Sequence, residues 1–119
     1  MKIQTTLIKD SIDLYQGETL VKSVPFTFNA QHCLQQVQRL RAEIIKTNAA
    51  GDPEGTGKAF WKLLCVVFGE DVCNQLDEWY AGDYLTMLGD LGPLLTDVIY
   101  PAVDRLTDTL VQTRKRMKA

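Results

Sequence analysis

Two glycines followed by acidic residues divide the middle of this chain into helices. Gly69 precedes Glu70 and Asp71, and Gly82 precedes Asp83. Glycine ends a helix at little cost in the left-handed conformation, and an acidic side chain stabilises the positive N-terminal end of the next helix. Asp83 can also accept backbone hydrogen bonds as an N-cap. The pattern predicts successive helices over residues 58–68, 70–80 and 83–88.

The first 28 residues alternate apolar and polar positions, as strands do. The alternation predicts a three-stranded antiparallel meander, beginning with a strand at Ile3–Leu7, with turns at Lys9–Asp10 and at Gln16–Gly17–Glu18. Pro25 lacks a backbone donor, so its strand should be an edge or be bulged there. The chain is predicted to be α+β, with a small N-terminal sheet of two or three strands packed on four to five helices.

Apolar spacing predicts helices on both sides of the glycine boundaries. Asn29 can cap a helix running to Lys46, whose apolar face we expect to dock against the sheet. Near the C-terminus, Gly89 and Gly92 predict a loosened chain and Pro93 the first turn of a further helix. Pro101 should kink that helix. Its apolar stripe comprises Leu94, Leu95, Val98, Ile99, Val103, Leu106 and Leu110.

Composition favours one domain in a reducing cytosol. The 119 residues are 45% hydrophobic, enough for one core. We therefore predict a single domain over 1–119, with a strand meander at 1–28, a helical body at 29–113 and a basic tail at 114–119. The first residues show no signal-peptide hydrophobic region, and the longest apolar run, Leu63–Phe68, is far shorter than the ~20 residues that span a bilayer. The three cysteines are interpreted as core residues.

Charge is distributed unevenly. The formal net charge is −2, but the tail contributes +4, which leaves −6 on the rest of the chain. A short basic cluster without interleaved aromatic residues is weak evidence for nucleic-acid binding. A solvated helix end whose cations complement the helix dipole is the favoured interpretation. The four cations are Arg114, Lys115, Arg116 and Lys118.

Residues 48–57 are predicted to form a loop, and Gly51–Ala59 superficially resembles a phosphate-binding loop. The first glycine is one residue too far from Gly57–Lys58, and Ala59 replaces the hydroxyl that would hold magnesium. Glu54 would place a carboxylate where phosphate should bind. We therefore expect no nucleotide and no other cofactor.

No catalytic constellation is present in the sequence. His32 is the only histidine, and its neighbour Cys33 diverges from it on a helix. The pairs Glu70–Asp71 and Asp77–Glu78 lack a histidine or cysteine at metal-ligand spacing. Three aspartates share one face of the last helix but lack an oxygen-rich glycine loop, so we expect no metal site there. These aspartates are Asp97, Asp104 and Asp108. The chain is predicted not to be an enzyme.

Several of these features together resemble the tail assembly chaperones of long-tailed (siphovirus-type) phages and prophages. The likeness covers Ala59 to Val103 and adds an apolar strand at Val24–Phe28 and a basic C-terminus. Leu94 departs from the bulky aromatic that members commonly carry after the proline at Pro93. The landmarks are Phe68-Gly69-Glu70, Trp79-Tyr80-Ala81-Gly82-Asp83-Tyr84, Met87-Leu88 and Ile99-Tyr100-Pro101.

The resemblance implies a non-enzymatic protein of the bacterial host cytosol. Such chaperones bind the tape measure protein before the tail tube polymerises around it and are absent from the mature virion. Many are also made as a frameshifted longer form that recruits tail tube protein, and self-association stays open. Two alternatives remain: a small nucleic-acid-binding regulator that uses the basic C-terminal tail, and a structural phage tail subunit.

The partner-binding surface is predicted from position. Two glycine-flanked helix ends place aromatic residues where the backbone can adjust to a partner. We expect an exposed apolar patch of Tyr84, Met87 and Tyr100 to bind helical segments of the tape measure protein. Trp61 and Trp79 are expected in the core.

Overall fold

An antiparallel hairpin precedes the helices in the computed structural model, which describes Met1 and residues 7–118. β1 (Ile8–Gln16) pairs with β2 (Thr19–Phe28), and Ile12 lies opposite Val24. Gly17, at a φ of 61°, forms the turn between them. The hairpin packs on helices, which confirms the α+β prediction. Residues 2–6 of the predicted first strand lie outside the described residues.

One detail of the predicted sheet is wrong. Lys9 and Asp10 do not form a turn but lie within β1, opposite Thr27 and Phe26. Both side chains are exposed, although only Lys9 lies on the ribbon face opposite to Ile12 and Leu14. The prediction that the strand of Pro25 is an edge or is bulged is confirmed, because β2 pairs with β1 alone among the described residues; the register irregularity falls between Leu14 and Tyr15.

The helices begin and end close to the predicted positions in the first two-thirds of the chain. The prediction for α3 is confirmed. The predicted start of α1 is also confirmed, because Asn29 accepts a hydrogen bond from the backbone N–H of His32. The predicted loop at 48–57 is confined to residues 50–52, because α1 extends to Ala49 and α2 begins at Pro53. Asp52 caps α2 and Pro53 occupies its first turn, so Gly55 and Gly57 are helical. The helices are α1 (Ala30–Ala49), α2 (Pro53–Phe68), α3 (Glu70–Tyr80), α4 (Tyr84–Leu94) and α5 (Tyr100–Lys118).

The last third of the chain is helical without a break. A π turn at Leu95–Ile99 joins α4 to α5, so the predicted loosening at Gly89 and Gly92 is wrong, and Pro93 lies within α4. This run buries one apolar side chain on every turn: Met87, Leu91, Leu95, Ile99 and Val103. The wide turn directly before Pro101 reduces the clash that a proline ring makes with the preceding turn of a helix. Residues 114–118, separated above as a tail, continue α5.

The core forms around α2. Phe60, Leu63 and Leu64 are fully buried in this helix, which contacts α1, α3, α4 and β2. The ring of Phe68 meets Phe26 of β2 edge to face, with 4.7 Å between the centroids. The prediction that α1 docks on the sheet is wrong, because α1 packs mainly against α2 and also against α5. The sheet instead covers α2 and α3.

Candidate partner-binding surface

Large apolar side chains are exposed at several places on the molecule. They lie at the turn end of the hairpin, on α1, at the start of α4 and along the end of α5. Scattered exposed apolar residues are normal, so a binding surface needs a second feature beside exposure. The side chains of residues 7–118 concerned are Tyr15, Leu20, Val21, Ile45, Leu85, Leu110, Val111 and Met117.

The start of α4 has that second feature, an aromatic stack that reaches the surface. The rings of Trp61 and Tyr84 are stacked with 5.3 Å between their centroids and 26° between their planes. Both residues are partly buried, whereas the next residue, Leu85, is 52% exposed. Leu88 lies one turn further along α4 and packs partly against the core. We call Trp61, Tyr84, Leu85 and Leu88 the Trp61–Tyr84 patch.

The first turn of α4 packs directly against α2 at this stack. A Cβ atom on the buried Gly57 would lie 3.4 Å from the Cβ of Tyr84, at van der Waals contact. Gly57 and Trp61 are four residues apart and therefore share one face of α2. Tyr84 thus lies over the face of α2 that carries both residues.

The turn from α3 to α4 fixes the position of Tyr84. Ala81 and Gly82 both have positive φ values, 52° and 80°, and Asp83 then caps α4. One carboxylate oxygen of Asp83 accepts the backbone N–H of Thr86 at 3.1 Å, and the other accepts its hydroxyl at 2.6 Å. These hydrogen bonds from Thr86 lower the pKa of Asp83. Tyr84 is thus the first residue of a firmly capped helix.

Met87 does not belong to the surface. Its side chain is fully buried in the core, so the expectation of an exposed patch that includes Met87 is wrong. The reason is the uninterrupted helix: Met87 is the first of the apolar side chains that the run from α4 to α5 buries on successive turns. A partner would meet Tyr84 and Leu85 rather than Met87.

The side chain of Tyr80 links α3 to α4. Its hydroxyl donates a hydrogen bond to a carboxylate oxygen of Asp90 at 2.9 Å. Burial and this bond to Asp90 raise the pKa of Tyr80 well above its ordinary value. This bond turns the carboxylate that follows Gly89 toward α3.

Tyr100 has a separate role at the contact between α1 and α5. The guanidinium carbon of Arg41 lies 4.3 Å from the centroid of the Tyr100 ring, and one Arg41 nitrogen donates to both carboxylate oxygens of Asp104, at 3.0 and 3.2 Å. Burial raises the pKa of Tyr100, and the charge of Arg41 opposes that shift. The ring contacts of Tyr84 and Tyr100 lead to different helices, so the structure gives no single patch containing both.

The remaining candidates have ordinary structural surroundings. His32 is exposed, and the thiol of Cys33 donates to the carbonyl of Val66 at 3.5 Å. Burial raises the pKa values of Cys33 and Cys73, and Cys65 beside Cys73 adds to the latter shift. Lys58 pairs with Glu54 at 3.1 Å within α2. No group of three or more histidine, cysteine, aspartate or glutamate side chains in the described residues could hold a metal ion.

The sequence did not predict that Trp61 and Leu85 belong to the candidate partner-binding surface. Trp61 was expected in the core, yet it packs there only partly and stacks on Tyr84 near the surface. The available signal is the spacing of Gly57 and Trp61 on one helical face. Gly57, however, was predicted to lie in the loop at 48–57.

Comparison with known proteins gives no relative. No protein-family model, curated protein or solved structure matches the chain. Within the described residues, none of the helices combines the length and apolar character needed to cross a membrane.

Proposed function

We propose that this protein is a non-enzymatic tail assembly chaperone of a long-tailed phage or prophage. It would bind the tape measure protein in the bacterial host cytosol and would not remain in the mature virion. The observation that carries the proposal is the Trp61–Tyr84 patch, where partly exposed stacked aromatic rings are followed along α4 by the exposed Leu85. Two landmarks of the resemblance, those at Gly69 and Gly82, also coincide with helix ends, and both glycines have positive φ values.

The proposed activity is reversible cover of an apolar helix. Flat aromatic rings and a leucine make contacts that tolerate varied partner sequences, as a chaperone for a long helical protein requires. Rigid aromatic side chains also lose little conformational entropy on binding. A frameshifted longer form of the same chain would add the recruitment of tail tube protein.

Co-expression with a phage tape measure protein from the same genome tests the proposal. We expect the wild-type chain to keep the tape measure protein in the soluble fraction without added nucleotide. The double variant Tyr84→Ala/Leu85→Ser should bind it more weakly by about 1–3 kcal/mol. Ile45→Ser is the matched control, because Ile45 is 63% exposed on α1, away from the stack.

Two results would count against the proposal. The first is a tape measure protein that stays insoluble with the wild-type chain. The second is a double variant that binds as well as Ile45→Ser while both keep the wild-type melting temperature. If the double variant loses binding because it unfolds, the single variant Leu85→Ser replaces it in the test. The Leu85 side chain contributes little to the core, so this variant should stay folded.

A nucleic-acid-binding regulator is the second candidate, and the exposed basic end of α5 favours it. Binding of duplex DNA that falls steeply with salt would support this candidate. The −6 charge on the rest of the chain opposes it. Detection of the protein in purified virions would instead support a structural tail subunit.

A further inference from the structure

The buried face of α5 continues past the body of the protein, and no described residue covers it there. Val103 is 1% exposed, Leu106 is partly buried, Leu110 is 50% exposed and Met117 is 82% exposed. The spacings of three, four and seven residues place these side chains on one face of the helix. All residues from 108 to 118 are exposed. In the last three turns of α5 this face presents Leu110 and Met117 to solvent, with Thr113 between them. We call the face formed by Val103, Leu106, Leu110 and Met117 the α5 stripe.

Both sides of the α5 stripe carry positive charge. At about 100° per residue, Arg114 and Lys118 lie along one side and Arg116 along the other. Asp108 and Lys115 lie on the opposite face of the helix. The ion pairs of residues 7–118 are Arg41–Asp104 and Lys58–Glu54, so neither includes a cation that flanks the stripe.

We propose that the end of α5 docks an amphipathic helix of another protein whose apolar stripe is flanked by aspartate and glutamate. Leu110 and Met117 would pack against the partner's apolar residues, while Arg114 and Arg116 would face its carboxylates. This is the arrangement by which flanking charges select helical partners. The inference does not depend on the partner being a tape measure protein.

A second copy of this chain fits the stripe less well. Two α5 ends packed against each other would bring the flanking cations of both copies to the same interface, where like charges repel. Nucleic acid also fits less well, because the centre of the surface is apolar and offers nothing to phosphate. An acidic amphipathic helix satisfies both the stripe and its flanks.

Two synthetic helical peptides test the proposal directly. Both carry leucine at the a and d positions of three heptads; one has glutamate at the flanking e and g positions and the other lysine. Fluorescence anisotropy with the full chain should give a dissociation constant at least about tenfold lower for the glutamate peptide. Raising the salt from about 50 to about 500 mM should weaken that binding.

Variants of the exposed helix end locate the binding site. Leu110→Ser/Met117→Ser should weaken binding of the glutamate peptide about tenfold or more, and Arg114→Gln/Arg116→Gln should weaken that binding several-fold. Lys115→Gln is the control, because it removes a neighbouring charge from the opposite face. We expect it to change the dissociation constant by less than about twofold.

Several outcomes would overturn the proposal. They are equal affinity for the two peptides, unchanged binding in Leu110→Ser/Met117→Ser, and a wild-type dimer in sedimentation that this double variant dissociates. Tighter binding of duplex DNA or of anionic vesicles through the same residues would also overturn it. Because the substituted side chains are exposed, the variants should keep the wild-type melting temperature, and the contrast between the two peptides needs no variant.

Discussion

Gly69 and Gly82 end helices, whereas Gly89 and Gly92 lie within one. The first two have φ values of 87° and 80°, and the second two have helical conformations in α4. Acidic residues directly follow three of the four, so local sequence alone does not separate them. The comparison teaches that a glycine followed by an acidic residue does not by itself end a helix.

The difference lies in what each carboxylate contacts. Asp83 caps α4 through Thr86, but Asp90, which follows Gly89, accepts a hydrogen bond from Tyr80 of α3 instead. Side-chain capping alone does not separate the two pairs, because Gly69 precedes α3 without a side-chain cap. The helix continues past Gly92, and its continuity carries α5 beyond the body.

Replacing Met87 gives the largest expected effect and tests whether α4 is part of a continuous buried run. Met87→Ala should lower the free energy of unfolding by about 2–5 kcal/mol, because the side chain is fully buried. Leu85 lies in the first turn of the same helix and is 52% exposed. Leu85→Ala should therefore change the free energy of unfolding by about 0.5 kcal/mol or less. Urea denaturation measures both. Similar values for the two variants would show that Met87 is at the surface.

Alanine substitution at the four glycines should change the stability of the protein in opposite directions in the two pairs. Gly69→Ala and Gly82→Ala should each destabilise the protein by about 1–2 kcal/mol, because alanine is strained at positive φ. Gly89→Ala and Gly92→Ala should each stabilise it by about 0.5–1 kcal/mol, since a Cβ meets no atom within 4 Å at either site. Melting curves of the four variants give the answer. Destabilisation at all four positions would mean that the chain breaks at Gly89 or Gly92.

The smallest effect concerns the hydrogen bond that engages Asp90. Tyr80→Phe should cost about 0.5–1.5 kcal/mol at neutral pH. The pKa of Tyr80 is raised in the folded protein, so its contribution is complete below the unfolded value of about 10 and is lost as pH rises above it. Stability measured from pH 8 to 11 should therefore fall less steeply in Tyr80→Phe. Parallel curves for the two proteins would contradict the role given to this bond.

How far the sequence predicts this molecule depends on whether a boundary is local. The cap at Asn29 and the stops at Gly69 and Gly82 involve residues within one turn, and each was predicted. The spacing of buried residues could not separate the two glycine pairs, because Phe60, Leu64, Phe68, Val72 and Leu76 recur every four residues across Gly69 as well. The contact of Asp90 with Tyr80, in contrast, forms only after α3 and α4 pack together.

The candidate site shows the same limit. Tyr84 was predicted as a surface residue at a helix start, and the local cap at Asp83 places it there. Its stacking partner Trp61 belongs to a different helix and meets it where the first turn of α4 packs against α2. That contact joins residues more than twenty positions apart, so no local pattern contains it.

The fluorescence of Trp61 tests most directly whether the Trp61–Tyr84 patch holds the partner. The chain has two tryptophans, so Trp79→Phe leaves Trp61 alone, and Trp61→Phe leaves Trp79 as the control. Adding soluble helical fragments of the tape measure protein to Trp79→Phe should shift its emission to shorter wavelengths in a saturable manner, because binding excludes water from the indole. The emission of Trp61→Phe should not shift. An unchanged Trp61 emission at fragment concentrations that saturate binding, or the absence of any binding, would contradict the proposed surface.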